Sequence, residues 1–261
     1  MLNMEKIKLG AQLFTLRDFI KTYEDTDKTF EFLRNEGITV AQISGIGPIE
    51  PEKVKELVEK YELDICVTHK PFDRMINDLD ALIEEHKMIN CPSIGIGAMS
   101  DEYRQSEEKL FEFVGLLNDI GAKMKKKGIQ LAYHNHAFEF ERMKSGRTIF
   151  DILIEETDPE LLHFIPDTHW MQFGGVNPPD FLRKLDGRVD VCHFKDYKIV
   201  NNERKFAEIG TGTLNFDACF ESCQDIGAKY IVIEQDLCDI DPRESMAISY
   251  KNLLEIAARH Q

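Results

Sequence analysis

Gly128-Ile129-Gln130-Leu131-Ala132-Tyr133-His134-Asn135-His136-Ala137-Phe138-Glu139-Phe140 begins as an apolar strand and turns polar where a strand ends. With the strand stopping near Tyr133, His134, Asn135, His136 and Glu139 fall at its carboxyl end, where α/β folds gather ligands. The two imidazoles and the carboxylate are metal ligands or proton carriers by chemistry. A lone histidine here would read as part of a solvated loop. Three later strands also end in Asp, His or Glu, and strand ends converging on one point are what a divalent metal needs.

Outward from this stretch, strand and helix alternate along the whole chain. Strands are predicted at 7–14, 40–44, 63–68, 93–96, 128 to about 133, 161–166, 189–193 and 230–233. Helices are predicted at 26–35, 51–61, from a cap at Asp73 through Met88, and at 105–126, 148–156, 178–185, 217–226 and 245–258. Pro51 suits a first helical turn, where its missing N–H costs nothing, and Leu110, Phe113, Val114, Leu117, Ile120 and Met124 keep helical spacing. A long polar loop is expected between the seventh strand and Gly210-Thr211-Gly212. Eight strands, each followed by a helix with no linker between, predict a (β/α)8 TIM barrel over residues 1–261 as one domain. About 250 residues is the usual size, and the reactive face is the carboxyl end of the strands.

Composition narrows the function. A formal charge of −15 repels a phosphate backbone and argues against nucleic acid as a partner. The one basic run, Lys123-Met124-Lys125-Lys126-Lys127, reads as a helix terminus. No apolar stretch reaches the roughly 18 residues of a membrane span. Six cysteines without CxxC pairing or a secretory leader fit a reduced cytoplasm, with Cys219 and Cys223 as small buried hydrophobes.

Glu139, Asp167, His193 and Glu234 follow strands five to eight, and three carboxylates with one imidazole suit one divalent ion among Mn²⁺, Mg²⁺, Co²⁺ and Zn²⁺. A sugar carbonyl and neighbouring hydroxyl chelating such an ion become acidic at the carbon between, so a base can remove that proton. His134 is the preferred base because it lies on the strand itself, with His136 and His169 as the other candidates. Lys195 is the candidate electrophile or phosphate contact. Gln12, His69 and His169 are expected to meet substrate hydroxyls, and Trp170, Phe14, Phe138 and Phe140 to form an apolar wall. Gly174-Gly175 and Gly210-Thr211-Gly212 are mouth loops without a phosphate-binding fingerprint.

The chain resembles the sugar phosphate isomerase/epimerase family, the xylose isomerase-like barrels that include tagatose epimerases, inosose dehydratases and zinc-dependent apurinic endonucleases. Carrying the resemblance are Gly10-Ala11-Gln12-Leu13-Phe14-Thr15-Leu16-Arg17-Asp18, Tyr133-His134-Asn135-His136 with Phe138-Glu139-Phe140, and Asp167-Thr168-His169-Trp170 with Gly174-Gly175. His193-Phe194-Lys195-Asp196, Gly210-Thr211-Gly212 and Glu234-Gln235-Asp236 complete it. The resemblance implies a metal on Glu139, Asp167, His193 and Glu234. It departs at His134, where the better-understood epimerases carry a glutamate, so their two-glutamate proton exchange does not carry over. A His134 base points toward keto-sugars, inososes or 3-keto-glycosides, by isomerisation or β-elimination.

The leading expectation is therefore a metal-dependent isomerase or epimerase of a ketose, keto-sugar or sugar phosphate. The runner-up is a dehydratase or β-eliminating lyase. An apurinic endonuclease would need more histidine ligands and a basic groove, and a non-enzymatic sugar-binding module would have an empty metal site. Barrels of this type often pair through their loops, which makes a homo-oligomer an expectation as well.

Overall fold

The structure is a computed structural model that describes residues 6–260. Eight strands form its sheet: β1 (Lys8–Gln12), β2 (Val40–Ile43), β3 (Asp64–His69), β4 (Ser93–Ile96), β5 (Gln130–His134), β6 (Leu162–Ile165), β7 (Val191–Phe194) and, after a hairpin, β10 (Tyr230–Ile233). They pair in the order β6-β5-β4-β3-β2-β1-β10-β7, every pair parallel. Two parallel bridges, Phe164 to Val189 and Asp167 to His193, join the ends of that row and close the barrel. The second of these sets one acidic residue beside one histidine.

Side-chain alternation decides what faces the axis. Val40, Val67, Ala132, Ile165, Val191 and Val232 belong to a small apolar cluster inside the barrel, distinct from the larger core between sheet and helices. Two residues further along the chain from each come Gln42, His69, His134 and His193 on the strands themselves, and Asp167 and Glu234 just past the ends of β6 and β10. Gly10 and Gln12 continue the pattern on β1, and Gly95 and Gly97 on β4. The last inward position of every barrel strand is thus polar or a glycine, directly above an apolar or glycine layer.

Around the sheet pack α1 (Tyr23–Asn35), α2 (Pro51–Lys60), α3 (Phe72–Asn77), α4 (Leu79–Met88), α5 (Glu107–Lys126), α6 (Ile149–Glu156), α7 (Thr168–Phe173), α8 (Pro178–Lys184), α9 (Phe216–Asp225) and α10 (Pro242–Arg259). In α5 the Ser106 hydroxyl accepts from Lys109 N, and the apolar stripe from Leu110 to Met124 is buried.

Three local expectations change. The single helix capped by Asp73 is two helices, because Asp78 (φ −146°, ψ 38°) breaks the turn, and Asp73 lies in the first turn of α3 without capping it. The first strand ends at Gln12 and runs straight into a 3₁₀ segment, Leu13–Phe19. The expected polar loop contains an antiparallel hairpin, β8 (Asp196–Val200) and β9 (Glu203–Ala207). Its two-residue turn is Asn201-Asn202, both at positive φ (51° and 65°), as a type I′ turn demands.

Candidate metal centre

His134, Asp167, His193 and Glu234 meet at the carboxyl end of the barrel, all buried, each offering one ligand atom within 4.8 Å of the others. Glu234 Oε2 lies 3.1 Å from His193 Nδ1, and Asp167 Oδ2 lies 3.4 Å from His134 Nε2 and 3.8 Å from His193 Nδ1. The other Asp167 oxygen caps α7 by accepting from Trp170 N, and Asn135 Oδ1 accepts from Asp167 N. Asp167 is thus anchored on one side and open on the other.

Both imidazoles are oriented from behind. His134 Nδ1 donates to the Gly97 carbonyl at 3.1 Å, which leaves Nε2 facing Asp167. His193 Nε2 donates to Gln42 Oε1 at 2.7 Å, which leaves Nδ1 facing Glu234. Gln42 in turn donates to His69 Nε2 at 2.8 Å. A metal-binding histidine needs its second N–H tied in this way to fix tautomer and ring angle. Two imidazole nitrogens, two carboxylates and no thiolate are a donor set for a hard or borderline divalent ion, and the residues present fit one.

Lys195 completes the charge balance. Its buried ammonium lies 3.2 Å from Asp167 Oδ2, 2.9 Å from Glu234 Oε2 and 3.1 Å from Asp236 Oδ2. Burial opposes its charge, but Asp167, Glu234 and Asp236 outweigh that and hold its pKa above the ordinary lysine value. Burial likewise opposes the charges of Asp167 and Glu234, which Lys195 and the adjacent imidazoles keep well below the usual carboxylate range. Burial pulls the His134 pKa down, yet Asp167 and Glu234 raise it overall, whereas His193 is lowered by burial.

Above the cluster stands a rim of neutral rings. Burial lowers His136 to about 3 and His169 to about 4. The Nδ1 of each, and the Trp170 indole N–H, are buried without a hydrogen-bond partner. The Trp170 ring lies between them, 5.3 Å from His136 and 4.7 Å from His169, with the Lys195 ammonium 5.3 Å from its centre. Phe206, on β9, packs 4.7 Å from His169 and takes the place expected for other phenylalanines. Phe138 stacks on His136, but Phe140 turns into the core against Phe150 and Phe181. Phe14 is partly exposed and covered by the Arg17 guanidinium. Gln12 uses both amide atoms internally, donating to Ser44 and accepting from Phe14 N.

Glu139 does not join the four. Its oxygens accept from the Tyr133 hydroxyl and from His136 N, both at 2.7 Å, and burial raises its pKa to about 7. Tyr133 points away from the barrel axis, one residue out of phase with His134, and it draws Glu139 to that outer side. The structure therefore places His134 in the cluster, where the sequence suggested Glu139. The Gly210-Thr211-Gly212 loop wraps a carboxylate of its own chain: Gly210 N and Gly212 N donate to Asp196 Oδ2 at 3.1 and 2.9 Å. A side chain at Gly212 would meet Tyr197 O at 2.2 Å, so only glycine fits there. Sequence reading missed Gln42, Asp236 and Phe206. The first was legible as the inward residue two after Val40.

Residues 28–252 match the family model of the xylose isomerase-like TIM barrel. The chain belongs to that family. An inosose dehydratase of Clostridium tetani is 25% identical, over 99% of this chain and 100% of its own. Among solved structures, a sugar phosphate isomerase/epimerase from Parabacteroides distasonis superposes with a TM-score of 0.79 at 22% identity, covering 99% of this chain and 96% of the other. The IOLI protein, crystallised with a zinc atom, superposes with a TM-score of 0.75 at 12% identity, covering 98% and 99%.

Proposed function

We propose that the protein is a divalent-metal-dependent enzyme that takes a proton from the carbon beside the carbonyl of a polyhydroxylated ketone and returns an isomer or epimer. The observation that carries this reading is the convergence of four buried ligands beneath two neutral imidazoles whose Nδ1 atoms are free. A divalent ion, Mn²⁺ among the candidates, would be held by His134, Asp167, His193 and Glu234 and would supply Lewis acidity to the carbonyl.

The chain's own groups perform the rest. His136 or His169, whose Nδ1 atoms have no hydrogen-bond partner, receives the proton, and burial keeps each unprotonated at neutral pH. The Lys195 ammonium, fixed by three carboxylates, offsets negative charge that develops at the carbonyl side. The Trp170 indole N–H donates to a substrate hydroxyl, while the Trp170 and Phe206 rings keep water from the reacting carbon. With His134 turned toward the ligand cluster, the role of base passes from it to the rim.

Elimination is the second reading, supported by the inosose dehydratases among the relatives, one of which is aligned along its full length. The same proton is removed, and a leaving hydroxyl departs as water with a proton from the enzyme. One experiment separates the outcomes: the Mn²⁺-loaded protein is incubated in D₂O with ketoses, keto-sugars and inososes. Deuterium entering the carbon next to the carbonyl with the carbon skeleton and oxygens retained marks isomerisation or epimerisation, and loss of one water marks elimination. No exchange on any compound with any divalent ion would overturn the proposal.

A further inference from the structure

On the β2 to β4 side of the barrel mouth lies a cavity of about 820 Å³. His69 is the wall it shares with the metal centre: its ring is 5.3 Å from that of His134 and 5.9 Å from that of His193. Gly97 keeps that wall thin, since a Cβ there would press against His69 Nδ1 at 3.2 Å. Phe72 and Ile46 supply apolar sides, and the cations are Lys70 and Arg74.

The two cations differ. Arg74 is neutralised, bonding both oxygens of Glu85 at 3.0 and 2.8 Å and Asp78 at 2.8 Å. Lys70 has no carboxylate within ion-pair distance among the described residues, although acids outnumber bases by 47 to 32 in the whole chain. Burial lowers its pKa, and Glu85, which lines the same cavity but is bonded to Arg74, offsets that only in part. A lysine without a direct ion pair beside an open cavity, one ring away from the reactive centre, is suited to a ligand that brings a closer negative charge.

We propose that this cavity receives the far end of the substrate and that Lys70 pairs there with an anionic substituent, a carboxylate or a phosphate. This deepens the functional reading above and rests on it: the substrate is a sugar acid or a sugar phosphate, and Lys70 is a specificity-determining residue.

The test does not depend on turnover. The metal-loaded protein is titrated calorimetrically with inorganic phosphate and with malonate at constant ionic strength, as wild type, Lys70→Met and Lys70→Arg, with metal content measured in each. At least one anion is expected to bind the wild type, about tenfold more weakly after Lys70→Met, with recovery in Lys70→Arg. Tighter phosphate binding assigns a phosphorylated substrate, and tighter malonate binding a sugar acid. The inference is overturned if neither anion binds or if Lys70→Met binds as well as wild type. Absence of a metal-binding site in all three proteins would instead count against the functional reading alone.

Discussion

The Lys195 ammonium stands 2.9 Å from Glu234 Oε2, an oxygen of the metal-ligand cluster itself. Lysine and a bound metal would draw on the same carboxylates, and their contributions can be separated. Lys195→Met leaves buried carboxylates without their cation and should destabilise the metal-free protein by about 3–5 kcal/mol. Added Mn²⁺ should restore much of that, because the extra negative charge favours a dication. Turnover should stay at least about 100-fold down. Thermal melts with and without Mn²⁺, beside the kinetics, check this; a variant unable to bind metal would show that Lys195 instead shapes the ligands.

Gln42 fixes the His193 tautomer from behind. Gln42→Leu should weaken metal binding by about 10–100-fold with little change in fold, the usual cost of losing such a partner. Competition with a chelator of known affinity measures it, and unchanged affinity would remove Gln42 from the account.

Glu139 should govern pH-dependent stability rather than metal content. Its carboxyl is raised from 4.5 to about 7 by burial, so between those values the folded protein holds a proton that the unfolded chain releases. Stability from this group is complete below pH 4.5 and is lost as pH rises through 7, amounting to about 3 kcal/mol over the window. Glu139→Gln should flatten that fall in chemical denaturation series while retaining the metal. Loss of the ion from this variant would return Glu139 to the ligand set.

Phe206 holds His169 from the hairpin at a ring distance of 4.7 Å. Phe206→Ala should lower kcat/KM by about tenfold or more through misplacement of that imidazole, with metal content unchanged. Equal kinetics in the two proteins would show that the hairpin does not position the rim.

Much of this arrangement was legible because strand parity is a local property. Asp167, His193 and Glu234 each sit two residues beyond an inward apolar residue, Ile165, Val191 and Val232. The same parity, running from Ala132, selects His134 and not Glu139. Glu139 has the residue type of a ligand but not the phase, and the outward Tyr133 that captures it is visible only once the chain is folded. The hairpin carried a local signal in Asn201-Asn202, but Lys198 and the charged run from Glu203 to Lys205 mask its alternation. The Lys70 cavity had no signal in the sequence, since it depends on which cations find carboxylates in three dimensions.

The ligand set is read by anomalous diffraction at the manganese edge from crystals grown with Mn²⁺. One peak is expected, bonded at about 2.0–2.3 Å to His134 Nε2, Asp167, His193 Nδ1 and Glu234. A peak ligated by Glu139 with His134 turned away, or no peak among these side chains, would contradict it.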